Sequence, residues 1–118
     1  VASIDIAVLR ALFRNLQSFE ALYEAEGLNT LRAPDGRDWT VWDLQYLYSC
    51  RTRLSPRQQQ AIELCLYANM KEREAARMMG IQESTPVSTY ANNGLKRLVT
   101  MIEAGLLPKF HEDLVDAS

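Results

Sequence analysis

Six short polar side chains, Ser84, Thr85, Ser88, Thr89, Asn92 and Asn93, fall within one ten-residue stretch of the chain. Arg57, Lys71, Arg73, Arg77, Lys96 and Arg97 stand before and after them. These residue types suit non-covalent recognition of a polyanion. An Asn carboxamide pairs with adenine through two hydrogen bonds, and Ser or Thr hydroxyls contact several bases. Arg and Lys hold phosphates. Covalent chemistry has much less to work with. The histidine His111 sits among acidic residues, and no histidine, cysteine or serine joins a constellation with a base. There is no glycine-rich phosphate loop. Cys50 and Cys65 lack the companion ligands of a metal site and read as reduced thiols in apolar helical patterns. Neither an enzyme, a metal nor a cofactor is expected.

Recognition side chains need a rigid element to carry them, and the stretch from Leu54 to Leu98 supplies three helices. Ser55-Pro56 is a cap followed by proline at the first helical position, where a missing N–H costs nothing. The helix it opens carries Ala61, Ile62, Leu64, Cys65 and Leu66, and Asn69 suits a left-handed exit. A shorter helix, 71–79, turns Ala75, Ala76 and Met79 inward and ends at Gly80. Thr85-Pro86 repeats the cap-proline start, and Val87, Ala91, Gly94, Leu95, Leu98 and Ile102 continue inward. Ser88, Thr89, Asn92, Asn93 and Lys96 then face out, with Ser84 and Thr85 at the helix start. Gly94 in mid-helix costs roughly 1 kcal/mol against Ala, which a close helix crossing would explain. Two helices joined by a short glycine-containing turn make a helix-turn-helix whose second helix fits the DNA major groove. A small bundle whose alanines and glycine merely permit tight packing is the bland alternative.

The run Leu54-Ser55-Pro56-Arg57-Gln58, with Ile62-Glu63-Leu64, Ala76, Gly80-Ile81 and Gly94-Leu95-Lys96-Arg97-Leu98, resembles the DNA-binding region four of bacterial sigma factors. The resemblance implies that helix 86–104 reads promoter DNA and that the domain docks on RNA polymerase. It matches Ser84, Thr85, Ser88 and Thr89 to base-contacting positions. Lys71 departs from the family by standing where a Ser or Thr cap is usual. One extra residue between Gly80 and Val87 is the second departure.

Ahead of this stretch, Ser3 can cap a long helix, 4–26, ended by Gly27. Leu9, Leu12, Leu16, Phe19 and Tyr23 form a heptad-like seam, widened by Val8, Phe13 and Leu22. Residues 28–40 read as a polar connection turning at Pro34-Asp35-Gly36. Thr40, with Asp43, caps a helix over 41–53. Trp39 and Trp42 either cement the N-terminal helices to the motif or anchor a partner protein.

The expected fold is all-α, with five helices near 4–26, 41–53, 56–68, 71–79 and 86–104 and no sheet. N-terminal helices (1–53) pack on the helix-turn-helix (54–105), followed by an acidic tail (106–118). Residues 1–52 carry five Lys/Arg against seven Asp/Glu, residues 53–97 seven against four, and residues 98–118 one against four. The positive balance therefore lies on the helix-turn-helix. The net charge of −2 implies weak non-specific DNA affinity, so a second copy or a protein partner is expected to add to it. The N-terminal seam points to a homodimer on a palindromic site. No run is long and apolar enough to span a membrane and no secretory pattern opens the chain, so the cytoplasm is the expected compartment. The leading functional expectation is a sequence-specific transcription regulator of bacterial or phage type that binds double-stranded DNA. The second is an interaction module that binds RNA polymerase or a regulator and reads little DNA.

Overall fold

A computed structural model describes residues 5–32, 36, 38–82 and 85–106. The elements run α1 (Ile6–Glu26), β1 (Thr30–Arg32), β2 (Asp38–Thr40), α2 (Val41–Ser49), α3 (Pro56–Ile62), α4 (Glu72–Met78) and α5 (Thr85–Glu103). A 3-10 turn, Cys50–Arg53, extends α2, and a π-helical stretch, Glu63–Tyr67, extends α3. The five expected helices are all present.

Local chemistry accounts for most of their ends. Ser55 Oγ accepts from the Gln58 N–H and the Gln58 side chain accepts from the Ser55 N–H, both at 3.3 Å, a capping box around Pro56. Thr40 and Asp43 form the second box, both bonds at 3.0 Å. Asn69 is left-handed at φ 52° and stops the π-helical stretch. At Gly80, φ is 72°, while Ile81 N–H donates to Ala76 O at 2.8 Å and Gly80 N–H to Arg77 O at 3.1 Å. That pair of bonds closes α4 and needs the backbone conformation glycine adopts without strain. Two expected caps differ. α1 is capped by Asp5, whose Oδ1 accepts from Val8 N–H at 2.9 Å, rather than by Ser3. Thr85 is already helical.

The expectation of no sheet is corrected. β1 and β2 pair antiparallel, with Thr30 opposite Thr40, Leu31 opposite Trp39 and Arg32 opposite Asp38. The reason is the alternation centred on Leu31 and Trp39, which turns one apolar side chain per strand inward. Arg32 Nε donates to Asp38 Oδ1 at 2.7 Å on the last rung. The Pro34-Asp35 part of the expected turn lies outside the described residues. So does the acidic tail beyond Leu106.

One hydrophobic core joins the N-terminal helices to the helix-turn-helix. α1 contributes Val8, Leu9, Leu12, Phe13, Leu16 and Phe19; α5 contributes Val87, Ala91, Leu95, Leu98 and Ile102. The seam of α1 therefore lies inside the monomer as far as Phe19, whereas Leu22 and Tyr23 are exposed. Phe13 meets Tyr48 edge-on at 5.6 Å, and Tyr48 stacks on Tyr67 at 4.8 Å, which locks α1, α2 and α3 together. Arg51 lies 4.0 Å from the Tyr48 ring centre and bonds Glu63 at 2.8 Å.

α3 crosses α5 at Gly94. A Cβ there would stand 2.9 Å from Ile62 Cδ1 and 3.3 Å from both Gln58 Cβ and Leu54 Cδ1. The two helices approach more closely than any side chain at position 94 would permit without displacement.

Candidate nucleic-acid interface

α4, the start of the turn after it and α5 as far as Arg97 present the polar and basic residues. Val87, Ala91, Gly94, Leu95 and Leu98 are buried, so helical geometry turns the opposite side of α5 to solvent. Thr89, Asn93 and Lys96 are exposed there, at spacings of four and three that put them on one face. Arg97 is exposed on the flank, and Ser88 is half-buried at the edge of the core. Ser84 lies outside the described residues, as does the side chain of Thr85.

Asn92 is turned differently. It is half-buried, and its Oδ1 accepts a hydrogen bond from Nη2 of Arg10 on α1. Its carboxamide is thus shared with the N-terminal helix, while that of Asn93 is exposed.

On α4, Arg73 and Arg77 are exposed and, with Ile81 and Gln82, line an open cleft of about 400 Å3. Lys71 takes the cap position of α4 with extended backbone and makes no side-chain capping bond. The first-turn N–H groups of α4 therefore have no cap from Lys71, and Glu72 and Glu74 place acidic charge at that end of the helix. Arg57 departs from the phosphate set in one respect: its Nη1 donates to Met79 O at 2.6 Å and ties the start of α3 to the end of α4. That bond caps the carbonyl end of α4, a structural task that nothing in the sequence announced.

The two tryptophans part company. Trp39 is 0% exposed and belongs to the core, so its ring offers a partner no surface in this conformation. Trp42 is 42% exposed and meets Tyr23 edge-on at 5.6 Å. Beside this pair, Glu20, Tyr23, Glu24, Gln45 and Tyr67 line a cleft of about 440 Å3. Glu20 there accepts from Tyr67 Oη at 2.7 Å and Gln45 Nε2 at 2.9 Å.

Burial pushes the Cys50 thiol up, and burial followed by the charge of Glu72 pushes up that of Cys65. Both stay protonated at neutral pH, the opposite of an activated nucleophile. Among the described residues no three His, Cys, Asp or Glu side chains gather as a metal site. No helix among them is long and apolar enough to cross a membrane.

The geometry is that of two helices set across a glycine turn, the second fixed by a tight crossing and presenting hydroxyls, an amide and cations. No curated protein and no solved structure matches the chain. Residues 44–98 match the family described as sigma-70, region 4, so the match starts inside α2 rather than at Leu54. Residues 44–98 of this chain are a sigma-70 region 4 domain, a helix-turn-helix whose presence implies DNA binding in transcription.

Proposed function

We propose that the chain is a sequence-specific transcription regulator of bacterial or phage type, which reads promoter DNA with α5 and contacts RNA polymerase. The observation that carries this reading is the exposed face of Thr89, Asn93 and Lys96 on α5, together with Arg73 and Arg77 exposed on α4, the helix before the turn. Base edges are read by the first group, at about 1–3 kcal/mol per good bidentate contact. The basic residues hold phosphates without regard to sequence. Lys71 and Arg97 join the phosphate set, and Arg57 adds what its bond to Met79 leaves free. Ser84, Thr85 and Ser88 complete the base-reading set at the start of α5, the end that meets base edges in such motifs.

Selection of a bound sequence from a random duplex pool tests the proposal. Recovery of a defined site, lost on Asn93→Ala or Thr89→Ala while scrambled DNA binds as before, is the expected result. A second reading, a module that binds polymerase or a regulator and reads little DNA, draws on the exposed Trp42–Tyr23 pair beside Glu20 and Glu24. It takes over should no sequence be enriched and Trp42→Ala abolish promoter activity in a folded protein.

A further inference from the structure

The N-terminal segment looks electrostatically wrong for DNA when its charges are simply counted, yet along α1 they are sorted. Arg10 and Arg14 occupy its first half, and Glu20, Glu24 and Glu26 its second. Two hydrogen bonds show where the basic half lies. Arg10 Nη2 donates to Asn92 Oδ1 on α5. Asn69 Nδ2, in the link that leads into α4, donates to the Arg14 backbone oxygen at 3.0 Å. The basic half of α1 is thus fastened to α5 and to the link that leads into α4, while Glu20 in the acidic half accepts from Gln45 of α2 and from Tyr67 at the end of the π-helical stretch.

The two arginines are one helical turn apart, so they share a side of α1. Arg14 is exposed and Arg10 half-buried. Among the described residues Arg32 is paired with Asp38 and Arg51 with Glu63, whereas neither Arg10 nor Arg14 has a carboxylate within ion-pair distance. Asn92 is a neutral acceptor: it orients the Arg10 guanidinium without cancelling its charge, and most of the five N–H donors stay available. A planar, positively charged donor fork held beside a recognition helix has the geometry phosphate oxygens accept.

We infer that α1 is part of the DNA-binding surface, with Arg10 and Arg14 holding the phosphate backbone beside the groove that α5 enters. Asn92 is then a positioning residue, which sets Arg10 rather than reading a base. The inference rests on the DNA-reading role of α5. It places two contacts outside the region 4 domain, on the segment whose count of charges argues against them.

The test is the salt dependence of binding by the full chain to its selected duplex and to a scrambled one. Arg10→Gln and Arg14→Gln should each flatten the slope of log affinity against log salt by about 0.9, which is about an eightfold loss at 0.1 M relative to 1 M salt. The loss should be equal on both duplexes. Arg10→Lys and Arg14→Lys should keep the slope, as should Arg32→Gln, whose charge is paired on the hairpin. Circular dichroism melts establish that each variant is folded. Should Arg10→Gln unfold, Arg14→Gln decides alone, since that side chain is exposed. Parental slopes in folded Gln variants overturn the inference and leave the α5 reading intact. A parent chain that binds neither duplex overturns both.

Discussion

At Gly94 two residue-scale effects oppose each other. Replacing it by Ala gains roughly 1 kcal/mol of helix propensity but drives a Cβ to 2.9 Å from Ile62 Cδ1, and overpacking of this kind costs about 1–3 kcal/mol. The difference places Gly94→Ala between neutral and about 2 kcal/mol destabilising in denaturant titrations, nearer neutral the more freely the end of the Ile62 side chain swings aside. Ile62→Val removes the offending atom, so the double variant should be more stable than the sum of the two single changes predicts; strict additivity would show that the contact relaxes freely. Adjacent amides offer a second contrast. Asn93→Ala should cost about 1–3 kcal/mol on the selected site alone, whereas Asn92→Ala should weaken selected and scrambled duplexes alike through Arg10. The tyrosines give a pH prediction. Burial, ahead of any charge, pushes Tyr46 and Tyr48 up to about 12, above the unfolded value of about 10. The native state then binds more protons than the unfolded chain over that interval, so stability holds below pH 10 and falls as the pH rises towards 12. Tyr48→Phe should reduce the fall measured by denaturant midpoints on either side of that window.

At the scale of elements, α4 is short and starts on Lys71 without a side-chain capping bond. Thr at this position accepts from a first-turn N–H, and a cap of this kind is worth about 1 kcal/mol. Lys71→Thr is expected to raise the thermal midpoint and, by removing a cation at the helix start, to weaken binding to every duplex. Gain of stability with unchanged DNA affinity would remove Lys71 from the phosphate set. The opposite arrangement holds at the other end of α4, where Gly80 and the Arg57–Met79 bond close the helix firmly. The turn that aims α5 is thus fixed at its entry, and the Gly94 crossing fixes the helix itself.

For the molecule as a whole, α1 decides whether the region 4 domain stands alone. Six of its side chains are buried in the common core, each worth about 1.5–3 kcal/mol. Without α1 the faces of α2, α3 and α5 that these side chains cover would be open to water. A chain shortened to begin at Val41 should lose cooperative unfolding in a thermal melt; a sharp transition near the parental midpoint would falsify the idea of a shared core. The same burial removes the seam from Leu9 to Phe19 as a dimer contact, so sedimentation of the free chain is expected to give a monomer mass.

What the sequence determined by itself is local. The caps at Thr40 and Ser55, the left-handed Asn69 and Gly80 and the inward face of α5 all rest on interactions spanning a few residues, and the residue types at those spacings declare them. Even Gly94 advertised a close crossing, because glycine in mid-helix is costly without one. The tertiary structure decided everything that depends on a distant partner. Trp39 and Trp42 are three positions apart and equivalent as text, yet one pairs with Leu31 in a hairpin and is sealed, while the other stays open. Asn92 and Asn93 are neighbours of one type, and only Asn92 meets Arg10, eighty-two positions away. Segment charges could be counted, but that Arg10 meets α5 and the Arg14 backbone meets the link into α4 was fixed by packing. Hydrophobic periodicity names a buried face without naming what covers it, and the covering helix decides which polar groups remain for DNA.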